Sequence, residues 1–192
     1  SKFSLVFEKP SWYLRTKVTA ALYDNSIYFD STAYPQLNDS SFLVYSIEVQ
    51  KAFHLWKFVI SNKILYQTSE NESTISFPEL FIYNSTYFND EIHFKSTGGL
   101  LQVQLGFDVF YNSPYFAPAY MPAIGQFYEQ RQNLYGDYPM VDAFLNLKIK
   151  RMRIFFKMKH INEGYITRNY FSAQHYPIYG RGFVIGFNWG FY

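Results

Sequence analysis

The stretch that decides the fold is the C-terminal one, Gly182-Phe183-Val184-Ile185-Gly186-Phe187-Asn188-Trp189-Gly190-Phe191-Tyr192. Large apolar side chains occupy every second position from Phe183 to Phe191, and small or mixed residues occupy the positions between them. A period of two places successive side chains on opposite faces of a β-strand. The stretch therefore predicts a strand with one large apolar face.

The same period recurs along the whole chain, with clear examples at 12–22, 43–49, 101–109 and 141–149. No helix of useful length competes with this pattern. The alternation predicts strands at about 2–8, 11–23, 41–50, 55–68, 79–94, 100–111, 140–150, 152–160 and 182–192.

Composition narrows the class of protein. Aromatic residues make up 22% of the chain and charged residues only 17%, an unusual balance for a soluble globule. Tyr and Phe favour strands and the boundary between the membrane interior and water. The mean hydropathy of −0.18, without a long apolar run, excludes a helical membrane protein. The absence of cysteine excludes disulfides and thiolate sites, and a net charge of +2 is too small to indicate nucleic acid.

Connection lengths alternate between short and long. The short connections lie near 8–10, 51–54, 96–99 and 150–152, and the long ones at 24–40, 69–78, 112–139 and 161–181. Short turns at one end and long loops at the other are typical of outer-membrane barrels, whereas a soluble sandwich would reach this alternation only by accident. We therefore predict an all-β, transmembrane, antiparallel up-and-down β-barrel. Because bacterial barrels have an even strand number, residues 1–192 should form about nine strands, the C-terminal portion of one larger barrel domain, with at least one strand before Ser1.

Three segments carry a resemblance to a known family. The loop segment 114–128, the strand segment 144–151 and His175-Tyr176-Pro177 resemble the putative porins of Bacteroidota over most of the chain. The resemblance implies an outer-membrane barrel presumed to form a pore, with a terminal strand that serves as the assembly signal. It transfers no catalytic residues and no substrate.

Signatures of an enzyme or a metal site are absent from the sequence. The four His residues, His54, His93, His160 and His175, match no close metal-ligand spacing, and Gly180-x-Gly182 is explained by a turn. Asp137, Asp142 and His175 could meet at a barrel rim, as in outer-membrane hydrolases, but nothing in the sequence orients them. We expect no enzymatic activity, no cofactor and no metal.

Alternation also assigns side chains to the inside of the barrel. The predicted lumen-lining residues are Arg15, Lys17, Glu48, Lys57, Lys63, Gln102, Gln104, Asp108, Asp142, Asn146, Lys148, Lys157 and Lys159. Basic residues outnumber acidic ones in this set, which predicts a mild preference for anions. The basic residues between Lys148 and Lys159 straddle a short turn, so lumen and headgroup contacts explain them better than nucleic acid does.

Three further predictions concern the outer face, the C-terminus and the long loop. Trp12, Trp56 and Trp189 should form an aromatic girdle at the periplasmic end, and Phe183, Ile185, Phe187, Trp189 and Phe191 should face lipid and act as the assembly signal. Asn62 fits the outward face poorly, which predicts a bulge or a covered site. The loop 112–139 is too apolar to extend freely into water, so it should form a constriction, an exposed binding surface or a packed rim.

These observations predict a channel for passive diffusion of small solutes in the outer membrane of a Gram-negative bacterium. The alternative is a non-conducting barrel subunit of a secretion or assembly complex. The expected partners are the lipid bilayer, lipopolysaccharide, the outer-membrane assembly machinery at the last strand, and other envelope proteins.

Overall fold

The computed structural model describes residues 1–95, 99–165 and 171–191. In chain order its strands are β1 (Lys2–Lys9), β2 (Leu14–Tyr23), β3 (Ser26–Phe29), β4 (Pro35–Asn38), β5 (Phe42–Leu55), β6 (Phe58–Ser69), β7 (Leu80–Phe94), β8 (Gly99–Asn112), β9 (Ala119–Met121), β10 (Gln126–Tyr128), β11 (Met140–Ile149), β12 (Met152–Lys159), β13 (Phe171–Ala173), β14 (Tyr176–Pro177) and β15 (Gly182–Trp189).

Nine of these strands form one antiparallel sheet in the order β1-β2-β5-β6-β7-β8-β11-β12-β15. The other strands form three hairpins, β3-β4, β9-β10 and β13-β14, all within the long connections. Each strand of the sheet pairs with its neighbours along the chain, and the sheet is open between β1 and β15. The prediction of an all-β antiparallel fold, one portion of a barrel, is confirmed.

The register shows the stagger that a barrel requires. A line of paired residues runs Leu14, Lys51, Asn62, Asn84, Val109, Val141. It starts at the short-turn end of β2 and finishes near the long-loop end of β11. A drift of about eight residues over five strand spacings corresponds to a strand tilt of roughly 45–50°, from a rise of ~3.3 Å and a spacing of ~4.8 Å. Such a tilt is close to that of closed barrels.

The ends of some strands differ from the prediction. Strand β2 begins at Leu14 rather than residue 11, because Pro10–Trp12 form a 3-10 turn that ends on left-handed Tyr13. Strand β5 continues to Leu55, so the turn predicted at 51–54 lies instead at Trp56 and Lys57. The last strand ends at Trp189, not at 192. Tyr192 and residues 96–98 of the turn predicted near 96–99 lie outside the described residues.

The two faces of the sheet have different chemistry. We call the face that carries Glu48, Asp108 and Asp142 the polar face, and the opposite one the apolar face. Large exposed apolar side chains lie mostly on the apolar face, among them Leu105, Phe107 and Phe187. In the described strands of the nine-stranded sheet, the buried side chains are Thr19, Phe42, Asp108 and Asp142, and all of them lie on the polar face. Buried side chains therefore lie on the charged face, and most exposed apolar side chains lie on the opposite face. A soluble sandwich has the reverse arrangement, with its apolar side chains buried.

Glycines make room for aromatic rings on the polar face. A Cβ atom at Gly186 would overlap the ring of Phe155, its cross-strand partner. Gly106 separates Tyr87 and Phe144, whose ring centroids are 6.2 Å apart. Large side chains can therefore lie flat against the polar face where a glycine faces them.

Candidate channel wall and loop layer

The wall of the candidate channel is the polar face. Cross-strand pairs transmit the alternation from strand to strand, since directly paired residues share a face. By this rule one face holds all but one of the predicted lumen residues: Arg15, Lys17, Glu48, Lys63, Gln102, Gln104, Asp108, Asp142, Asn146, Lys148, Lys157 and Lys159.

Lys57 is the exception, and the prediction that it lines the lumen has to be corrected. It lies in the two-residue turn after β5, and its Nζ atom is 2.7 Å from the Asp90 carboxylate. Asp90 pairs with Val103 on the apolar face. The Lys57 ammonium group also lies over the rings of Trp56 and Phe88. The sequence had suggested a turn at 51–54, which would place Lys57 within the next strand. Alternation along that strand then predicted that its side chain faces the lumen.

An ion cluster lies on the wall near the long-loop end. The Lys157 Nζ atom is 3.0 Å from both the Asp108 and the Asp142 carboxylates. Asp108 also accepts hydrogen bonds from the hydroxyls of Ser85, at 2.8 Å, and Tyr83, at 3.2 Å. Because Lys157 reaches Asp108 across the intervening strand β11, the cluster ties three strands together. Two carboxylates can be buried here because one ammonium group serves both.

A second charged group lies further along the wall. The Lys63 Nζ atom is 3.1 Å from the Glu48 carboxylate, which also accepts a hydrogen bond of 2.7 Å from the Gln50 amide. Lys17 is the cross-strand partner of Glu48 on the other side. Charged and amide groups of this kind are typical of the water-filled side of a barrel.

Basic side chains outnumber acidic ones on the described strands of the polar face. The basic residues are Lys2, Arg15, Lys17, Lys63, Lys148, Arg153, Lys157 and Lys159; the acidic ones are Glu8, Glu48, Glu91, Asp108 and Asp142. Eight less five leaves a net charge of three positive. Sequence reasoning missed Lys2, Glu8, Glu91 and Arg153. Arg153 lies four residues before Lys157 in the same strand, so alternation could have placed it on this face.

The three tryptophans lie at the short-turn end of the sheet. Trp12 is in the turn after β1, Trp56 is in the turn after β5, and Trp189 pairs with Met152 just after the turn between β11 and β12. All three are exposed, Trp56 most of all at 83%. In the last strand, Phe183, Ile185, Phe187 and Trp189 share the apolar face, whereas Phe191 lies beyond the strand end and is exposed.

Asn62 belongs to a group of three hydrogen-bonded polar residues on the apolar face, with Asn84 and Thr86. The strand pairing around it is regular, so the predicted bulge is wrong. Its Oδ1 atom accepts a 2.8 Å hydrogen bond from the Asn84 amide, and Asn84 in turn accepts one of 2.9 Å from the Thr86 hydroxyl. These polar groups satisfy one another within the sheet, which lowers the cost of placing them beside hydrocarbon.

The long loops form one connected layer, which we call the loop layer: 24–41, 70–79, 113–139 and the described part of 160–181. The central loop, 113–139, contacts the other three. Its Glu129 N–H donates a 2.9 Å hydrogen bond to the Phe29 carbonyl, and the Arg131 guanidinium donates to the Glu72 carbonyl. Rings of Tyr120 and Tyr176 meet at 6.3 Å. The prediction that this loop does not extend freely into water is confirmed, and its contacts are those of a packed rim.

A buried network fastens the loop layer to the wall. His160 has no exposed surface; its Nε2 atom is 2.7 Å from the Tyr138 hydroxyl, and its backbone N–H donates a 2.8 Å hydrogen bond to Asp142. The His160 ring also lies 3.0 Å from the Tyr179 carbonyl, through Nδ1. Asp142 therefore joins two loops to the Lys157 cluster. Sequence analysis could not find this network, since its members come from separate loops with no shared periodicity.

The rim residues considered for hydrolysis have separate partners. Asp137 accepts a 2.9 Å hydrogen bond from the Tyr111 hydroxyl, Asp142 belongs to the Lys157 cluster, and His175 lies at the turn between β13 and β14. Among the described residues, no hydrogen bond or ion pair joins these three side chains to one another. Within the described residues, no group of three His, Asp or Glu side chains is arranged to hold a metal.

Burial changes the acidity of Glu129 in the loop layer. Its Oε2 atom is buried and has no hydrogen-bond partner among the described residues. Burial raises the pKa of this carboxyl to about 7, against the opposing effect of Arg131. A raised carboxyl pKa means that the packed loop binds the proton more tightly than the free loop does. The resulting stability is complete below the unperturbed pKa of 4.5 and is lost as the pH rises through about 7.

We therefore expect the central loop to be better protected from hydrogen exchange at pH 5 than at pH 8, after correction for intrinsic exchange rates. Glu129→Gln should remove most of this difference, because the amide stays neutral throughout. Glu72→Gln, at an exposed carboxylate of the neighbouring loop, is the matched control and should keep it. Equal pH dependence in the wild type and in Glu129→Gln would contradict the assignment.

No helix in the described residues is long and apolar enough to span a membrane.

Comparison with known proteins identifies the family to which the chain belongs. A family model described as "Putative porin" matches residues 1–192. The chain belongs to this family. Neither the curated proteins nor the solved structures contain a match to it. The resemblance to a porin family is confirmed, whereas the Bacteroidota origin stays a prediction for this porin-family chain.

Proposed function

We propose that this porin-family chain forms part of an outer-membrane channel through which small solutes diffuse passively in a Gram-negative bacterium. One observation carries the proposal: the staggered sheet exposes an apolar face and turns a charged face the other way. Lipid on one side and water on the other would satisfy both faces. The chemistry proposed is diffusion alone, without catalysis, cofactor or metal.

The surroundings follow from the same two faces. The bilayer and lipopolysaccharide would contact the apolar face, with Trp12, Trp56 and Trp189 at the periplasmic boundary. The outer-membrane assembly machinery would bind the last strand, and other envelope proteins are a further class of partner. The test of the function is single-channel conductance of the purified full-length protein in a planar bilayer. Stepwise currents would support the proposal, and a correctly inserted protein without conductance would contradict it.

We further expect the channel to prefer anions mildly. The polar face carries three more positive than negative side chains, and a charged wall enriches counter-ions over about 8–10 Å at physiological ionic strength. In a salt gradient, the reversal potential should have the sign of anion selectivity, and high salt should weaken it. A cation-selective sign would contradict the prediction.

A non-conducting barrel subunit of an envelope complex is the second candidate. The loop layer favours it, because loop 113–139 joins three other loops through Glu129, Arg131 and Tyr120 and would narrow the outer opening. Stoichiometric partners that co-purify with a protein of no conductance would support this candidate over the channel.

A further inference from the structure

A concavity in the polar face lies toward the short-turn end, away from the loop layer. Its volume is about 490 Å³, and strands β7, β8, β11 and β12 contribute to its lining. The lining residues that matter here are Asn89, Gln102, Gln104, Lys148, Arg153 and Phe155. All of them lie on the polar face by their register.

Two cations face each other in this concavity. Lys148 and Arg153 are direct cross-strand partners, and like charges directly opposite one another destabilise a sheet. Among the described residues, neither has a carboxylate within salt-bridge distance. Glu91 also lines the concavity, but it lies two strands from Lys148 and three from Arg153 in this row, and it accepts a 2.8 Å hydrogen bond from Gln102. An anion between the two cations would relieve their repulsion.

The adjoining row supplies neutral groups of a different kind. Asn89, Gln104 and Asn146 follow one another across β7, β8 and β11, and each carries amide donors and an acceptor. Phe155 continues the row, and its ring lies over Gly186 with 42% of the residue exposed. Amides bind hydroxyl groups, and an exposed aromatic ring packs against the apolar side of a sugar ring.

We propose that this concavity binds a small anionic sugar, in which a phosphate or carboxylate group lies between Lys148 and Arg153. The hydroxyl groups would bind the amide row, and the ring would pack against Phe155. The inference deepens the proposed function and rests on it, because it takes the polar face to be in contact with water and solutes. The inference attributes the mild anion preference to the site between Lys148 and Arg153 on the wall.

The test is equilibrium dialysis of the purified full-length protein in detergent with glucose 6-phosphate, glucose and inorganic phosphate, each as a separate probe. Glucose 6-phosphate should bind more tightly than either comparator. The double variant Lys148→Gln/Arg153→Gln should weaken its binding by about tenfold or more, as expected for lost charge-assisted hydrogen bonds. Phe155→Leu should weaken binding of glucose 6-phosphate but not of phosphate.

Lys17→Gln is the matched control, since it removes a cation from the same face outside the concavity, and it should bind glucose 6-phosphate as the wild type does. Equal affinity for glucose and glucose 6-phosphate, or an unchanged affinity in the double variant, would overturn the proposal. Dialysis needs no open pore, so its outcome is separate from that of the conductance measurement. A conducting protein that binds none of the probes would overturn this inference and leave the proposed channel intact.

Discussion

A full-length protein that lacks residues 183–192 is expected to be lost from the outer membrane. Strand β15 pairs with β12 from Met152 to Lys159, and its removal leaves that edge of β12 without partners. Each unsatisfied backbone group in hydrocarbon costs several kcal/mol, so the shortened sheet could not remain in the bilayer. The measurement is the yield in the outer-membrane fraction, with an epitope inserted at exposed Gly125 so that detection does not depend on the deleted strand. Wild-type yield after the deletion would contradict the prediction.

Two neighbouring positions in the last strand provide a matched pair of point variants. Phe187 is 76% exposed on the apolar face, and Asn188 pairs with Arg153 on the polar face. Phe187→Asp should reduce the assembled yield, because a carboxylate beside hydrocarbon is costly, whereas Asn188→Asp adds the same group beside a cation and should not. Equal yields of the two variants would show that the face of the strand is not what the membrane recognises.

Alternation grouped side chains onto one face of the sheet correctly, because the rule is local and direct pairing carries it from each strand to the next. Once Asp108 is assigned to one face, direct pairing assigns Asp142 on one side and Ser85 on the other. The rule fails at turns, where no partner fixes the side chain. Lys57 shows this: the strand before it continues to Leu55, so Lys57 lies in a turn beside Asp90.

The loop layer could not be predicted in the same way. Composition indicated that the central loop packs against other parts of the protein, but it did not indicate which loops or strands it contacts. The contact between Tyr138 and His160 joins two loops, and that between Glu129 and Phe29 joins loops separated by four strands of the sheet. Such contacts depend on the curvature and stagger of the sheet, which no single segment encodes.

Polar residues on the apolar face were the hardest to interpret from the sequence. Asn62 interrupts the apolar series Phe58, Ile60, Ile64 and Tyr66 on one face of its strand, which suggested an irregular backbone. The structure keeps the backbone regular and places Asn84 directly opposite, so the two amides bond to each other. A residue that looks misplaced in one strand is therefore explained by its neighbour in the next.

Loss of the Lys157 ammonium group should be the most destabilising single substitution on the wall. Lys157→Met keeps an unbranched side chain that is one atom shorter, but it leaves Asp108 and Asp142, with 12% and 2% of their side chains exposed, without their shared cation. Removing one partner of a buried ion cluster costs about 3–5 kcal/mol, because the remaining charges are buried without compensation. Urea-induced unfolding of the full-length protein in lipid vesicles, followed by tryptophan fluorescence, measures the loss.

The matched control is Lys17→Met. Lys17 lies on the same face and forms no ion pair among the described residues, so its loss should change the free energy of unfolding by less than about 0.5 kcal/mol. Adding Asp108→Asn and Asp142→Asn to Lys157→Met should recover much of the lost stability, since the uncompensated charges disappear together with the cation. The recovery would show that the penalty comes from buried charge rather than from lost packing of the lysine stem. Equal losses in Lys157→Met and Lys17→Met would contradict a structural role for the cluster.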